Sequence, residues 1–190
     1  MKSNERKERL VQYAGFWRRL IAIFLDTMIV FYPLIQLLSI NVSNFGSLFV
    51  LSFIFQSLPF IYNICLLGIC GQTLGMMVVR VRVEKLNQEK IKWKEAFLRY
   101  AVNVFVAILF LLMEYFYFSG VDEALLVGKN YSQFFLEFRN SNSTFNLISK
   151  IIASFSWIWT FSEVAVLLMN EKKRAIHDYI AGTVVVNVSK

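Results

Sequence analysis

The stretch GFWRRLIAIFLDTMIVF, from Gly15 to Phe31, is an apolar run with arginines near its start and an aspartate in its middle. Arg19, Ala22 and Asp26 follow one another at intervals of three and four residues, so on a helix they share one face. A carboxylate placed that deep in lipid is costly, and Asp26 should therefore face protein or water. The stretch predicts a membrane-spanning helix with one polar face.

The composition of the whole chain also indicates a membrane protein. Of its 190 residues, 57% are hydrophobic and 17% are charged, and the mean hydropathy is +0.53. Soluble domains have about a quarter of their residues charged. The net charge of +7 would suggest nucleic-acid binding in a soluble protein. Here the charges flank apolar runs, so they favour orientation in a lipid bilayer, and no nucleic-acid partner is expected.

Four apolar runs are each near or above the roughly 20 residues that cross a bilayer. The first run has no small-residue cleavage site and carries Asp26, so we interpret it as an uncleaved span rather than a signal peptide. The sequence predicts an all-α integral membrane protein, a four-span transmembrane helical bundle that forms a single domain over residues 1–190. The predicted spans are about residues 18–40, 45–70, 100–118 and 148–169, with inner segments 1–17, 71–99 and 170–190 and an outer loop 119–147.

Lysine and arginine are distributed unevenly between the two sides of these spans. Of the 20 such residues, all but Lys129, Arg139 and Lys150 lie in the three inner segments or at the adjoining ends of the spans. Cytoplasmic loops carry an excess of lysine and arginine. The distribution predicts a multi-pass protein of the cell membrane with both termini cytoplasmic.

The inner segments carry strand patterns as well as charge. VVRVRV, from Val78 to Val83, alternates apolar and basic residues, and Lys90–Trp93 alternates again after a turn at Asn87-Gln88. TVVVNV, from Thr183 to Val188, is β-branched and too short to cross a membrane. These stretches predict a small cytoplasmic β-element. WKEAFLRY, from Trp93 to Tyr100, has the pattern of an amphipathic helix that enters the third span.

The outer loop from Ser119 to Leu147 is long for a helix–helix connection. Its middle, YSQFFLEF, predicts a helix lying on the outer surface. Three N-x-[ST] triplets fall on the predicted outer side and matter only in a host that glycosylates; they begin at Asn41, Asn130 and Asn142.

Catalytic and metal-binding patterns are absent from the sequence. Cys65 and Cys70 fall near the end of an apolar run, which favours small buried hydrophobic residues over a disulfide framework. The single histidine, His177, leaves no partner for a hydrolytic triad or a metal cluster, and Gly71 and Gly75 lack the Lys-Ser/Thr of a phosphate loop. We therefore expect no catalytic residue, no metal, no cofactor and no enzymatic activity.

Polar residues within the spans form a candidate binding layer. With a rise of about 1.5 Å per residue, Asp26 lies roughly 12 Å, and Asn63 and Glu163 each roughly 10 Å, from the inner ends of their helices. Asn103 lies nearer the inner surface, whereas Glu114 is close to the outer end and can snorkel. Oxygen ligands at one depth suit a sodium or proton site. The alternative is that these groups bond one another and tie the bundle together.

Three pieces of the chain together resemble the RDD family of membrane proteins, named for one arginine and two aspartates. The pieces are YAGFWRRLIAIFLD, GQTLGMMVVRVRV and KKRAIHDYIAGTVVV, which occur in this order from about Tyr13 to Val188. In this resemblance Arg19 matches the family arginine, and Asp26 and Asp178 match the two aspartates. The chain departs from the family pattern at Met76, where a basic residue is common.

The resemblance implies the fold more strongly than the activity. Transport of an unidentified ligand, including sodium–proton exchange, has been proposed for the family, and other members act as accessory subunits of membrane protein complexes. Two functions are therefore compared: a transport-type protein that moves a small ligand or exchanges a monovalent cation for protons, and a non-transporting membrane adaptor or regulator. Four spans leave little room for a pathway, so transport implies a homo-oligomer, whereas the adaptor implies a membrane protein partner. The lipid bilayer is common to both.

The polar residues near the predicted inner surface suggest specific contacts. Arg19 and Asp26 are too far apart along one helix for a comfortable pair, so we predict a bidentate ion pair between Arg19 and Asp178. The alternative pairs Arg174 with Asp178 on an exposed helix. His177 could relay protons near neutral pH, or it could simply contact head groups or backbone.

Overall fold

The structure is a computed structural model that describes residues 12–188, apart from the side chain of Phe31. Four of its helices are long and the others are short. The helices are α1 (Phe16–Leu37), α2 (Phe45–Cys70), α3 (Leu74–Val78), α4 (Trp93–Phe118), α5 (Tyr131–Ser141), α6 (Ser143–Met169) and α7 (Ile176–Ala181), with a 3₁₀ turn at Glu123–Leu125. The strands are β1 (Val81–Lys85) and β2 (Thr183–Asn187).

Helices α1, α2, α4 and α6 are long and apolar enough to cross a membrane, which agrees with the predicted four-span helical fold. Two of them begin earlier than predicted. Helix α4 begins at Trp93 because the amphipathic stretch continues directly into the apolar run. Helix α6 begins at Ser143, where the side-chain oxygen of Asn142 accepts a hydrogen bond from the Phe145 backbone N–H at 2.9 Å. Side-chain capping lets the helix start in a polar stretch.

The chain divides into two compact units that are interleaved along the sequence. Within the described chain, the first unit contains residues 12–28, 63–100 and 161–188. The second unit contains Ile29–Tyr62 and Ala101–Thr160. Each long helix therefore contributes one part to each unit.

The first unit is built around the predicted β-element. Strands β1 and β2 pair antiparallel in a register that runs from Val81↔Asn187 to Lys85↔Thr183. The N-terminal stretch extends this pairing, since the backbone N–H of Ala14 donates to the Val185 carbonyl oxygen at 2.9 Å. Buried apolar residues hold the helices and strands of this unit together; they are Ala14, Leu67, Val81, Val83, Ile91, Ala96 and Val185.

The extent of the first strand differs from the prediction. The strand begins at Val81 rather than Val78, because Leu74–Val78 closes into helix α3, with the Thr73 side chain accepting from the Met76 N–H. The residues after the Asn87-Gln88 turn contribute an isolated bridge, Glu84↔Lys90, and helix α4 then begins. The turn itself is confirmed, and Gln88 takes the left-handed conformation with φ of 66°.

The second unit has a core rich in aromatic side chains. Phe118 makes edge-to-face contacts with Phe134 at 5.3 Å and Phe138 at 5.1 Å between ring centroids. The predicted loop helix is confirmed as α5, but Tyr131 and Phe134 are buried, so its apolar face packs into this core. The N-terminus of α5 is fixed by a capping box between Asn130 and its third helical residue.

The two cysteines are not buried as predicted. Cys65 is half-buried and Cys70 is exposed, and both are free thiols. Both lie in the last part of α2, which belongs to the first unit.

Candidate functional site

The buried carboxylate of Asp178 is the centre of a charged cluster in the first unit. The Arg19 Nη1 atom donates to Asp178 Oδ2 at 2.7 Å, and the Arg99 Nη1 atom donates to Oδ1. Asp178 is fully buried, and both arginines are less than a tenth exposed. The predicted Arg19–Asp178 ion pair is confirmed. We call Arg19, Arg99 and Asp178 the Asp178 cluster.

The pair is not bidentate, contrary to the prediction. The other guanidinium N–H groups of Arg19 donate to main-chain carbonyls: Nε to Ala14 at 3.3 Å, and Nη2 to Lys173. The second oxygen of Asp178 is thereby left for Arg99. The arginine of α1 thus holds both the N-terminal stretch and the C-terminal segment through its fixed fork of donors.

Arg99 was not singled out by the sequence analysis. It also donates to the Thr183 hydroxyl at 2.7 Å, which joins α4 to the start of β2. The available signal was an arginine at the junction between the amphipathic stretch and the apolar run of the third span. Burying such a charge costs free energy unless an opposite charge pairs with it.

The alternative contact between Arg174 and the carboxylate of Asp178 on an exposed helix is not what the structure has. Arg174 is 9% exposed and donates to main-chain oxygens, from Nη2 to Asp178 at 3.0 Å and from Nε to Thr183 at 3.1 Å. Its guanidinium also lies 3.9 Å from the centroid of the Tyr179 ring. Arg174 therefore fastens the main chain around α7 rather than neutralising the acid.

Local sequence explains how α7 presents Asp178 to the arginines. The carboxylate accepts from the Ala175 backbone N–H at 3.0 Å, which caps the start of the helix. Gly182 ends it in the left-handed conformation with φ of 66°, as glycine at a C-cap commonly does. These two contacts define the ends of the short helix α7, and Asp178 within it is buried in the first unit.

The charges around Asp178 predict acid-sensitive stability. Burial alone would raise the pKa of Asp178, but Arg99, His177 and Arg19 outweigh burial and hold the pKa of this carboxyl well below its usual range. Such a carboxylate stabilises the fold above its unfolded pKa of about 3.9, and this stabilisation is lost as the pH falls toward the folded pKa. In thermal unfolding in detergent, the difference in Tm between wild type and Asp178→Asn should shrink below about pH 4. A difference that stays constant down to about pH 2 would contradict this assignment.

The first aspartate of the family pattern, Asp26, is held at the start of α3. Asp26 Oδ2 accepts from the Thr73 hydroxyl at 2.5 Å, and Oδ1 accepts from the Gly75 backbone N–H at 2.8 Å. A Cβ atom at Gly75 would lie 2.2 Å from the Ala22 carbonyl oxygen, so this position requires glycine. The backbone at Thr73–Gly75 therefore packs directly against the face of α1 formed by Ala22 and Asp26.

Glu163 and His177 form a second set of polar contacts in the first unit. Glu163 Oε1 accepts from the His177 backbone N–H at 3.0 Å, and Oε2 contacts the imidazole Nδ1. The imidazole Nε2 lies 3.0 Å from Arg99 Nη2. The histidine therefore connects a carboxylate of the long apolar helix α6 with the Asp178 cluster.

The four residues of the predicted binding layer are distributed over both units. Asp26, Asn63 and Glu163 belong to the first unit, where Asp26 and Glu163 both interact electrostatically with Tyr100. Asn103 belongs to the second unit, where it lines a cavity. The structure thus places Asp26, Asn63 and Glu163 in one unit and Asn103 in the other.

Glu114 lies near the end of α4 as predicted, but the snorkelling predicted for it is wrong. Glu114 is 1% exposed and accepts from Gln56 Nε2 at 2.8 Å, so it is buried in the second unit and does not snorkel. Its depth in the sequence suggested the end of the span, but helix α5 folds over it and supplies the Tyr131 hydroxyl at 3.5 Å.

The described part of the first unit holds buried charge at Asp178, and Glu163 and His177 contact each other beside it. Among the described residues, no group of three or more His, Cys, Asp or Glu side chains has a metal-binding arrangement.

Comparison with known proteins identifies the family of this chain. A model of the RDD family matches residues 13–182, which is most of the chain. No curated protein and no solved structure matches.

Proposed function

Because this chain belongs to the RDD family and has four apolar helices able to cross a membrane, we propose that it is a transport-type membrane protein. It transports a small ligand or exchanges a monovalent cation for protons. It acts as a homo-oligomer, since four spans leave little room for a pathway, and it has no enzymatic activity.

The observation that carries this proposal is the contact between Glu163 and His177. Glu163 lies on α6, a long apolar helix, and its side chain is 12% exposed. Imidazole changes charge near neutral pH, and an intramembrane carboxylate is a functional site by default. A proton at this pair can therefore be gained or lost in response to a cation that approaches Glu163.

Asp26 supplies a second negative charge for the same event. Asp26 and Glu163 belong to the same unit, and a cation that lies between them is attracted by both carboxylates. The carbonyl oxygen of Asn63, in the same unit, adds a hard ligand of the type that sodium shares with other hard cations. In this proposal the Asp178 cluster is the fixed support, and Glu163, His177 and Asp26 are the groups that change charge.

The proposal includes an orientation. The basic inner segments lie on the cytoplasmic side of the cell membrane, and both termini are cytoplasmic. The lysine and arginine distribution supports this orientation, because only Lys129, Arg139 and Lys150 fall on the opposite side.

Exchange predicts that cation binding releases protons from the purified protein. Sodium, lithium or potassium chloride added to wild-type protein in weakly buffered detergent should release protons in a saturable manner, measured with a pH-sensitive dye. Glu163→Gln should lose this release, because the amide still accepts from the His177 N–H but cannot give up a proton. N-methylglucamine chloride at equal ionic strength is the salt control.

Glu137→Gln is the matched control variant, since Glu137 is an exposed acid paired with Lys129 on α5. This variant should release protons as the wild type does. If folded wild-type protein releases no proton with any of the three cations, or if Glu163→Gln releases as many as wild type, the proposal is wrong.

A non-transporting adaptor is the second candidate, and one observation favours it. Asp178 and Arg19 of the family pattern are fully engaged in contacts that fasten the N- and C-terminal segments. In this alternative, substitutions in the first unit act only through stability, whereas changes in the exposed basic segments abolish binding to a membrane protein partner. Glu163→Gln discriminates the two, because the adaptor role predicts no lost activity in a variant that stays folded.

A further inference from the structure

The second unit contains a cavity of about 800 Å³. Its walls come mainly from α2, α4, α5 and α6, and seven of the 20 lining residues are aromatic, among them Phe55, Phe110, Phe135 and Trp157. A volume of roughly 300–1,000 Å³ suits a drug-sized molecule. Trp157 is 63% exposed, so the cavity reaches the surface of its unit.

One charge is present in this apolar wall. Among the described residues that line the cavity, Glu114 is the single one with a charged side chain. Its hydrogen-bond partners are neutral: Gln56 Nε2 at 2.8 Å, the Tyr131 hydroxyl at 3.5 Å and the Ser52 hydroxyl, which itself lies 3.0 Å from the Tyr131 hydroxyl. No lysine, arginine or histidine between residues 12 and 188 forms an ion pair with Glu114.

A buried carboxylate without a counter-charge favours a cationic ligand. Taking a carboxylate out of water is expensive unless a positive charge compensates it. A carboxylate has about four lone-pair positions, and these three partners leave room for one more. The faces of aromatic rings attract cations. The same rings also make favourable contacts with the apolar part of an organic cation.

We propose that this cavity binds an amphipathic organic cation. The apolar body of the ligand lies against the aromatic walls, and its positive centre faces Glu114. A neutral lipid tail would leave the carboxylate uncompensated, and an anion would be repelled by it. The site lies in the second unit and does not depend on the exchange proposed at Glu163.

Binding of tetraphenylphosphonium to the full-length protein in detergent tests this assignment. Wild type should bind it with a saturable change in tryptophan fluorescence, since Trp157 and Trp159 line the cavity. Glu114→Gln keeps the contact with Gln56 but removes the charge, and should weaken binding about tenfold or more. Glu137→Gln, which alters an exposed acid outside the cavity, should bind as wild type does.

A neutral probe and a second variant make the outcome decisive. Triphenylphosphine oxide, which has aromatic rings but no net charge, should bind wild type far more weakly than the cation. Ala153→Phe, at a cavity-lining position that is itself exposed, should fill the site and abolish binding even if Glu114→Gln fails to fold. Equal binding of both probes, unchanged binding in either variant, or a co-purified lipid that the cation cannot displace would overturn the proposal.

Discussion

Asp178→Asn should destabilise the protein by about 3–5 kcal/mol, because removing one partner of a buried ion pair leaves an uncompensated charge. Here two guanidinium groups, of Arg19 and Arg99, lose their shared carboxylate at once. Both are less than a tenth exposed, so water cannot take over the lost contact. Unfolding by heat or denaturant in detergent measures the effect.

Surface ion pairs provide the matched control for this prediction. Glu137→Gln removes an acid that is 61% exposed in its pair with Lys129, and should cost less than about 1 kcal/mol. Adding Arg99→Gln to Asp178→Asn should cost less than Arg99→Gln alone, because the partner is already absent. If Asp178→Asn costs no more than the surface control, the Asp178 cluster does not support the fold.

Gly75→Ala should destabilise the first unit by about 2–4 kcal/mol. The added Cβ would lie 2.2 Å from the Ala22 carbonyl oxygen and 2.9 Å from Asp26 Cγ. Both are closer than non-bonded atoms approach, and the Ala22 oxygen is main chain that cannot rotate away. The substitution should therefore separate α3 from α1 and break the 2.8 Å bond from the Gly75 N–H to Asp26.

Gly120→Ala is the control for this glycine prediction. No atom lies within 4 Å of a Cβ built at Gly120, and its backbone is not left-handed. Its effect on the free energy of unfolding should be within about 0.5 kcal/mol. Equal stability of the two alanine variants in thermal unfolding would show that the contact between α1 and α3 is looser than described.

The sequence predicted best where a pattern has one physical solution. Four long apolar runs predict four membrane-spanning helices, because a helix satisfies all of its backbone hydrogen bonds in lipid. The β-branched segment Thr183–Val188 is too short to form a fifth spanning helix. The Arg19–Asp178 pair was predictable because Asp26 lies two helical turns from Arg19, which directs the arginine to another acid. These expectations required no knowledge of how the helices pack.

The contacts that were missed depend on packing between distant parts of the chain. Arg99 and Asp178 are 79 positions apart, and the turn of α4 that faces α7 cannot be derived from composition. Glu114 was placed near the outer surface from its distance along the helix, whereas the loop helix α5 covers it. Asp26 was expected to face protein or water, and it does contact protein groups, Thr73 and Gly75. These partners lie at the start of the five-residue helix α3, which the sequence analysis did not predict.

Proton movement in proteoliposomes is the measurement that tests the proposed exchange most directly. Wild-type protein, shown to be folded and inserted, should move protons across the vesicle membrane when sodium, lithium or potassium is added on one side, and Glu163→Gln should not. The Glu137→Gln variant should behave as wild type does. Absence of cation-dependent proton flux in inserted wild type, or undiminished flux in Glu163→Gln, would contradict the account and favour the adaptor role.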